Sequence, residues 1–243
     1  MHFPPLSIFI ICSTAFLTGI SRTAIPGLGT LLVPLAAMAM PARVSTGFLL
    51  PMLVVGDFTA VFYWRRRIAW PYLVRILPWA AGGVAVGFFA MKLISESVFK
   101  PLLGGMIVGI MALDLIRRWV GVELKAENRI FAAVMGILSG AFTMIANAAG
   151  PITTIYLLSM GLPKEEFVGT SAVFYWLINL FKLPFSILLG LITWRSFKFD
   201  LMMIPLIALG CLVGILSLKR LPQRTFNLVA QVLAFLAGVK LFF

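Results

Sequence analysis

Gly19-Ile20-Ser21-Arg22-Thr23-Ala24-Ile25-Pro26-Gly27-Leu28-Gly29-Thr30 and Gly140-Ala141-Phe142-Thr143-Met144-Ile145-Ala146-Asn147-Ala148-Ala149-Gly150-Pro151 are two versions of one stretch. Each interrupts oily sequence with small residues, a proline and hydroxyl or amide side chains. Proline removes a backbone donor and glycine admits positive φ, so one helix can end there and another begin. A new helix start leaves free N–H groups and a partial positive charge, which together favour an anion.

The surrounding sequence is apolar in blocks. Of 243 residues, 61% are apolar and 12% charged, about half the charged share of a soluble domain. A water-soluble chain needs a mostly polar skin, and these runs approach the roughly 20 residues that cross a bilayer. They are continuous, not alternating, so they read as helices and not barrel strands. The expected fold class is all-α, a polytopic membrane bundle. Five apolar segments fall near 6–21, 24–40, 45–64, 71–91 and 98–116, and five more near 130–146, 148–161, 167–190, 199–218 and 224–243. The first two of each set are short, so about 8–10 membrane segments are expected, with broken or re-entrant helices among them. The first run lacks a basic leader region and reads as a retained segment.

The two sets match in order. Gly29, Pro41, Gly47 and Asp57 correspond to Gly150, Pro163, Gly169 and Asn179; Trp70 and Pro78 correspond to Trp194 and Pro205. Gly83, Gly87, Lys92 and Phe99 then correspond to Gly210, Gly214, Lys219 and Phe226. The chain therefore reads as a first repeat (1–119), a cytoplasmic connector (120–129) and a second repeat (130–243), one membrane domain in all. An odd number of segments per half inverts the second copy, a common plan among secondary transporters. With the connector inside, Arg22, Arg65, Arg66, Arg67, Arg117, Arg118, Lys125, Arg129, Lys164, Lys219, Arg220 and Arg224 lie on the cytoplasmic side. Six other basic residues lie outside, the direction the positive-inside rule requires.

Matching interrupted segments are the best sequence pointer to a transporter's binding site. They supply Arg22, Thr23, Gly27, Gly29, Thr143, Asn147 and Gly150 as candidate substrate ligands. The plainer reading of any one glycine is close helix packing. Asp57 and Lys182 lie deep in apolar segments, where a charge costs about 2.5–3.5 kcal/mol and usually meets a partner or a water-filled path. Asn179 shares a helix face with Lys182, three residues on. Lys182 and Asn179 join the candidate anion ligands, and Asp57 is the candidate for a coupling proton. A structural Asp57–Lys182 pair, or a snorkelling Lys182, is the competing reading. Arg22 either lines the pathway or ends the first segment. Trp64, Trp70, Trp79, Trp119 and Trp194 near segment ends suit interfacial anchors, and Pro163-Lys164-Glu165-Glu166 reads as a helix start.

The net charge of +12 comes from small basic clusters between apolar blocks, which argues for membrane topology and against nucleic-acid binding. His2 is the single histidine, so a zinc site or His-based triad is not expected, and no cofactor is either. Cys12 and Cys211 sit in apolar runs and read as packing residues. The sequence has no Gly-x-Ser-x-Gly elbow, no H-E-x-x-H motif and no Walker A motif. Gly56-Asp57 resembles part of an aspartyl membrane protease motif, but Val54 replaces the usual first glycine. The chain is not expected to be an enzyme.

Pro26-Gly27-Leu28-Gly29 leading to Val33-Pro34-Leu35, with its counterpart Ala146-Asn147-Ala148-Ala149-Gly150-Pro151, resembles the sulfite exporter TauE/SafE family, also described as permeases for sulfonates and related anions. The run Leu162-Pro163-Lys164-Glu165-Glu166-Phe167-Val168-Gly169-Thr170, followed by Asn179-Leu180-Phe181-Lys182, resembles one branch of it. Many members carry a glycine run where this chain has Ser21-Arg22-Thr23 nearby. The resemblance implies a secondary transporter of a small anion (sulfite, sulfonate or a related organic anion) in a bacterial-type cytoplasmic membrane. Alternating access, with protons as one candidate driving ion, is the mechanism it implies. The partners are that anion and the lipid bilayer; association into a homo-oligomer stays open. A carrier of cations or other solutes, a passive channel and a non-transporting scaffold are the alternatives.

Overall fold

The computed structural model describes residues 5–25, 28–93 and 129–226, with 95, 98, 228, 229 and 232 as single positions. The expected segment at 98–116, the connector at 120–128 and nearly all of the segment at 224–243 lie outside the described residues, as do Gly27 and Trp119. Among the described residues every regular element is helical. The first half contributes α1 (Pro5–Thr23), α2 (Gly29–Ala37), α3 (Ala42–Trp64) and α4 (Trp70–Leu93). The second contributes α5 (Arg129–Ala146), α6 (Gly150–Leu158), α7 (Lys164–Leu188), α8 (Trp194–Met202) and α9 (Ile204–Arg220).

Five of these helices, α1, α3, α4, α5 and α7, are long and apolar enough to cross a membrane, and α8 with α9 makes a sixth if taken together. This is a multi-pass membrane bundle. The segments at 24–40 and 148–161 reduce to nine-residue helices, α2 and α6. At 1.5 Å per residue each covers about 14 Å, less than half of the roughly 30 Å hydrocarbon core, so neither crosses it. The segment expected as one helix at 199–218 is also broken: α8 and α9 meet at Met203 with a 50° bend. Pro205 stands at the start of α9, where its missing N–H costs nothing. Its counterpart Pro78 lies inside the continuous helix α4. Eleven residues separate Trp194 from Pro205 where eight separate Trp70 from Pro78, and the three extra residues fall within this bent region.

Small residues set the helix pairing. In α4, Gly83 and Gly87 lie against the Ile137 and Ala141 backbone of α5, while Gly140 of α5 lies against Ala80 of α4. In α9, Gly210 and Gly214 lie against Phe16 and Thr23 of α1, and Gly19 of α1 against Ile207. A Cβ at Gly140 would come within 1.9 Å of the Ala80 carbonyl oxygen. Helices this close gain dispersion energy that lipid cannot match. Gly47, near the start of α3, meets Leu191 in the α7–α8 connection; Gly169, near the start of α7, meets Arg67 in the α3–α4 connection. α3 packs along α7 through the middle. Within α1, the buried Thr14 and Thr18 turn their hydroxyls back to the carbonyls one turn earlier, which satisfies them away from water.

Gly140→Ala is therefore expected to cost about 1–3 kcal/mol by overpacking and to lower the yield of monodisperse protein. Gly82→Ala, whose Cβ would meet nothing within 4 Å, is expected to behave as wild type; thermal melting in detergent checks both. Trp64 corrects an expectation. It is buried, with its indole N–H donating 3.2 Å to the Thr23 carbonyl, and so is no interfacial anchor. Trp70, Trp79 and Trp194 are exposed, as anchors are.

Candidate functional site

Both interrupted stretches are breaks between helices, with α1 ending at Thr23 and α2 starting at Gly29 in the first. α5 ends at Ala146, and Asn147 turns the chain with φ 53°. Asparagine tolerates this left-handed conformation because its short amide can bond locally. The Asn147 and Ala148 N–H groups return to the Thr143 and Phe142 carbonyls, which satisfies the end of α5. Two residues later α6 begins with Gly150 and Pro151, and α2 begins likewise at Gly29. No side chain of an N-cap residue caps either start, and α2 and α6 touch one another.

Around this region lies a buried polar cluster drawn from four helices. Asp57 of α3 is wholly buried. Its Oδ2 accepts from Asn179 Nδ2 of α7 at 2.7 Å, and its Oδ1 lies 3.3 Å from Arg22 Nε at the end of α1. Asp57 and Asn179, which the sequence comparison sets at corresponding positions, bond to each other. The Arg22 guanidinium also stacks over the ring of Tyr175 of α7, 4.8 Å from its centroid, a favourable cation–π geometry when desolvated. Arg22 is buried to 6% exposure, so it does not end its helix at a water surface.

Lys182 of α7 is 1% exposed. Its ammonium donates to the Thr143 carbonyl at 3.0 Å, to Thr143 Oγ1 at 3.3 Å and to Asn147 Oδ1. Asn147 Nδ2 in turn donates 2.8 Å to the Thr46 carbonyl at the start of α3. The Asp57–Lys182 ion pair weighed from sequence does not form; Arg22 takes that place. Nor does Lys182 snorkel.

Among the sequence candidates, Arg22, Asp57, Thr143, Asn147, Asn179 and Lys182 are brought together. Gly29 joins them: a Cβ there would sit 3.0 Å from Ser21 Oγ and 3.8 Å from Arg22 Nη2. Gly150 is buried at the start of α6. Gly27 lies outside the described residues. Thr23 turns elsewhere. Its hydroxyl donates to the Gly19 carbonyl at 2.8 Å and the Cys211 carbonyl at 3.1 Å, inside the α1–α9 contact. Tyr175 and Ser21 were missed, although Tyr175 precedes Asn179 by one turn on the same face. Ser21 Oγ and Asn179 Oδ1 are buried with no hydrogen-bond partner among the described residues.

A family model for "Sulfite exporter TauE/SafE" matches residues 11–241. The chain belongs to that family. No curated protein and no solved structure matches it. TauE/SafE membership makes the bundle that of a transporter family and places this polar cluster in an integral membrane protein. Among the described residues no group of His, Cys, Asp and Glu is arranged to hold a metal ion, and Cys12 and Cys211 are both free thiols. What this TauE/SafE member offers a solute is two cations, one carboxylate, amides, hydroxyls and two helix starts.

The side chain of Asn147 separates from its backbone by substitution. Asn147→Gly keeps the left-handed turn at no steric cost but removes the contacts to Lys182 and Thr46. It is expected to melt within a few degrees of wild type yet lose most solute binding. Asn147→Ala loses the same contacts and adds about 1–2 kcal/mol of backbone strain, so it is expected to melt lower as well. Melting curves beside a ligand titration check the pair.

Proposed function

We propose that the protein is a secondary transporter of a small oxyanion, sulfite, a sulfonate or a related organic anion, bound between α1, α3, α5 and α7 and exposed alternately to either side. One observation carries this reading. The Lys182 ammonium is buried with three neutral oxygens around it, and no carboxylate lies within 4 Å among the described residues. A buried charge without a counter-charge costs several kcal/mol, and an anion would remove that cost. Arg22 is offset by Asp57, so the cluster keeps one positive charge in excess. Uncapped starts of α2 and α6 add partial positive charge beside it. The family name supports the sulfur-oxyanion class.

The inverted repeat belongs to the same proposal. Several contacts exchange between the halves: α4 with α5 against α9 with α1, Gly47 with the α7–α8 connection against Gly169 with the α3–α4 connection, and Asp57 against Asn179. A pseudo-two-fold axis through the α3–α7 contact accounts for all three. Such an axis lets one half rock against the other around a fixed site.

Thermal melting of purified protein against sulfite, thiosulfate, taurine, sulfoacetate, simple carboxylates and chloride tests the class. A ligand at 100 times its Kd stabilises by about 2.7 kcal/mol, so one group of oxyanions should raise the melting temperature where chloride does not. A rise with cations and with none of the anions would move the reading to a cation carrier.

A further inference from the structure

A second buried acid stands apart from the cluster around Lys182. Asp200 of α8 is 3% exposed, and neither carboxylate oxygen has a hydrogen-bond partner among the described residues. It lines a cavity of about 510 Å³ whose walls include Val54 and Val55 of α3, Leu183 and Ile187 of α7, and Phe197 of its own helix. A carboxylate in so apolar a place must be neutralised or relieved by a cation. The nearby charged and titratable groups do not supply one. Arg195 and Lys198 on α8 are exposed, with Lys198 over the Trp194 ring. On α3, Asp57 is held by Arg22 and Asn179. On α7, Lys182 is turned to Thr143 and Asn147. On α9, Cys211 is buried in an apolar cluster, and Lys219 and Arg220 stand at the far end of the helix.

The fold does not require this acid. The residue equally far beyond Trp70 in the first half is Ile76, an apolar core residue. Asp200 also lies three residues before the α8–α9 bend, between Trp194 and Pro205, where the second half carries three more residues than the first. Its cavity shares α3 and α7 with the anion cluster: Val54 is one turn from Asp57, and Leu183 follows Lys182. Asp57 is less suited to carry a proton, because a proton there would displace Arg22 or Asn179.

Resting on the anion-transport reading, we propose that Asp200 carries the coupling proton. A carboxylate oxygen takes one proton from water on one side of the membrane and returns it to water on the other, and the α8–α9 bend opens and closes the way to its cavity. No other reactant is needed. An unprotonated, desolvated Asp200 would hold α8 away from the apolar walls, whereas the neutral acid would let them close, so the movement of α3 and α7 around the anion follows the proton.

The experiment compares two fluxes in proteoliposomes with labelled sulfite and sulfonates: exchange across the membrane without a gradient, and accumulation driven by a pH gradient. One pH unit is worth 1.36 kcal/mol per proton, so about tenfold accumulation per unit is available to wild type. Asp200→Asn is expected to keep exchange and to bring the accumulation ratio to about one, while Asp200→Glu restores part of it. Exchange in Asp200→Asn shows that the variant is folded. Three results would overturn the proposal while leaving anion transport standing: wild-type exchange without any pH-driven accumulation, accumulation that survives Asp200→Asn, or loss of exchange as well in that variant. Absence of exchange of every anion by wild type would instead remove the transport reading, and this inference with it.

Discussion

Lys182→Ala is expected to weaken anion transport at least 30-fold in KM, or to abolish it, while the protein remains folded. Truncating one member of a buried, hydrogen-bonded charge pair costs about 2–5 kcal/mol, and 2 kcal/mol is about a 30-fold change. In the unliganded protein the same substitution removes a buried cation that has only neutral partners, so its cost in stability is small or even negative. That opposition separates a binding lysine from a structural one. A structural Lys182 would lower melting temperature and transport together. Lys182→Arg is expected to restore little, since the guanidinium is a planar fork and not a compact point charge, and the Thr143–Asn147 cradle fits the latter. Melting curves beside concentration-dependent uptake decide between the two roles.

Arg22→Met is expected to destabilise the protein strongly, by about 3–5 kcal/mol, because it leaves Asp57 buried without its cation. Asp57→Asn alone is expected to cost less: the carboxamide can still accept from Asn179 Nδ2, and Arg22 keeps its place over Tyr175. Combining Arg22→Met with Asp57→Asn should recover most of the loss, since the uncompensated charge is gone, giving a coupling energy of roughly 2–3 kcal/mol in a double-mutant cycle. Additive effects of the two substitutions would show that Arg22 and Asp57 do not act as a pair. Denaturation of the four proteins in one detergent is the measurement.

The bundle and much of the cluster were legible in the sequence, because apolar run length and polar residues set deep in such runs are local features. The glycines singled out along the sequence, Gly47, Gly83, Gly87, Gly169, Gly210 and Gly214, lie at close contacts between segments, and Asp57 and Asn179 bond to one another. Apolar run length placed α3, α4, α5 and α7 within a few residues, since crossing a bilayer constrains little besides length and polarity. What distance along the chain does not encode was less legible. Which cation reaches Asp57 depends on rotamers and helix rotation, and Arg22, not Lys182, does so. Thr23 and Trp64 read as a ligand and an anchor, yet inside the core the Thr23 hydroxyl donates to the Gly19 and Cys211 carbonyls and the Trp64 indole donates to the Thr23 carbonyl. Asp200 was hidden by its neighbours: it opens the segment expected at 199–218 just after Arg195 and Lys198, where a charge looks like a surface edge, and the three extra residues between Trp194 and Pro205 suggest no interruption of that segment. A bend inside a helix absorbs them instead.

The central claim is that an oxyanion occupies the cluster around Lys182, and counterflow through the purified protein tests it most directly. Proteoliposomes loaded with unlabelled sulfite, thiosulfate, taurine, sulfoacetate or a simple carboxylate are diluted into the labelled form of the same anion. Saturable uptake of at least one sulfur oxyanion, absent in Lys182→Ala, is the expected result. Well-folded wild-type protein that exchanges none of these anions, or Lys182→Ala that exchanges them as well as wild type does, would contradict it.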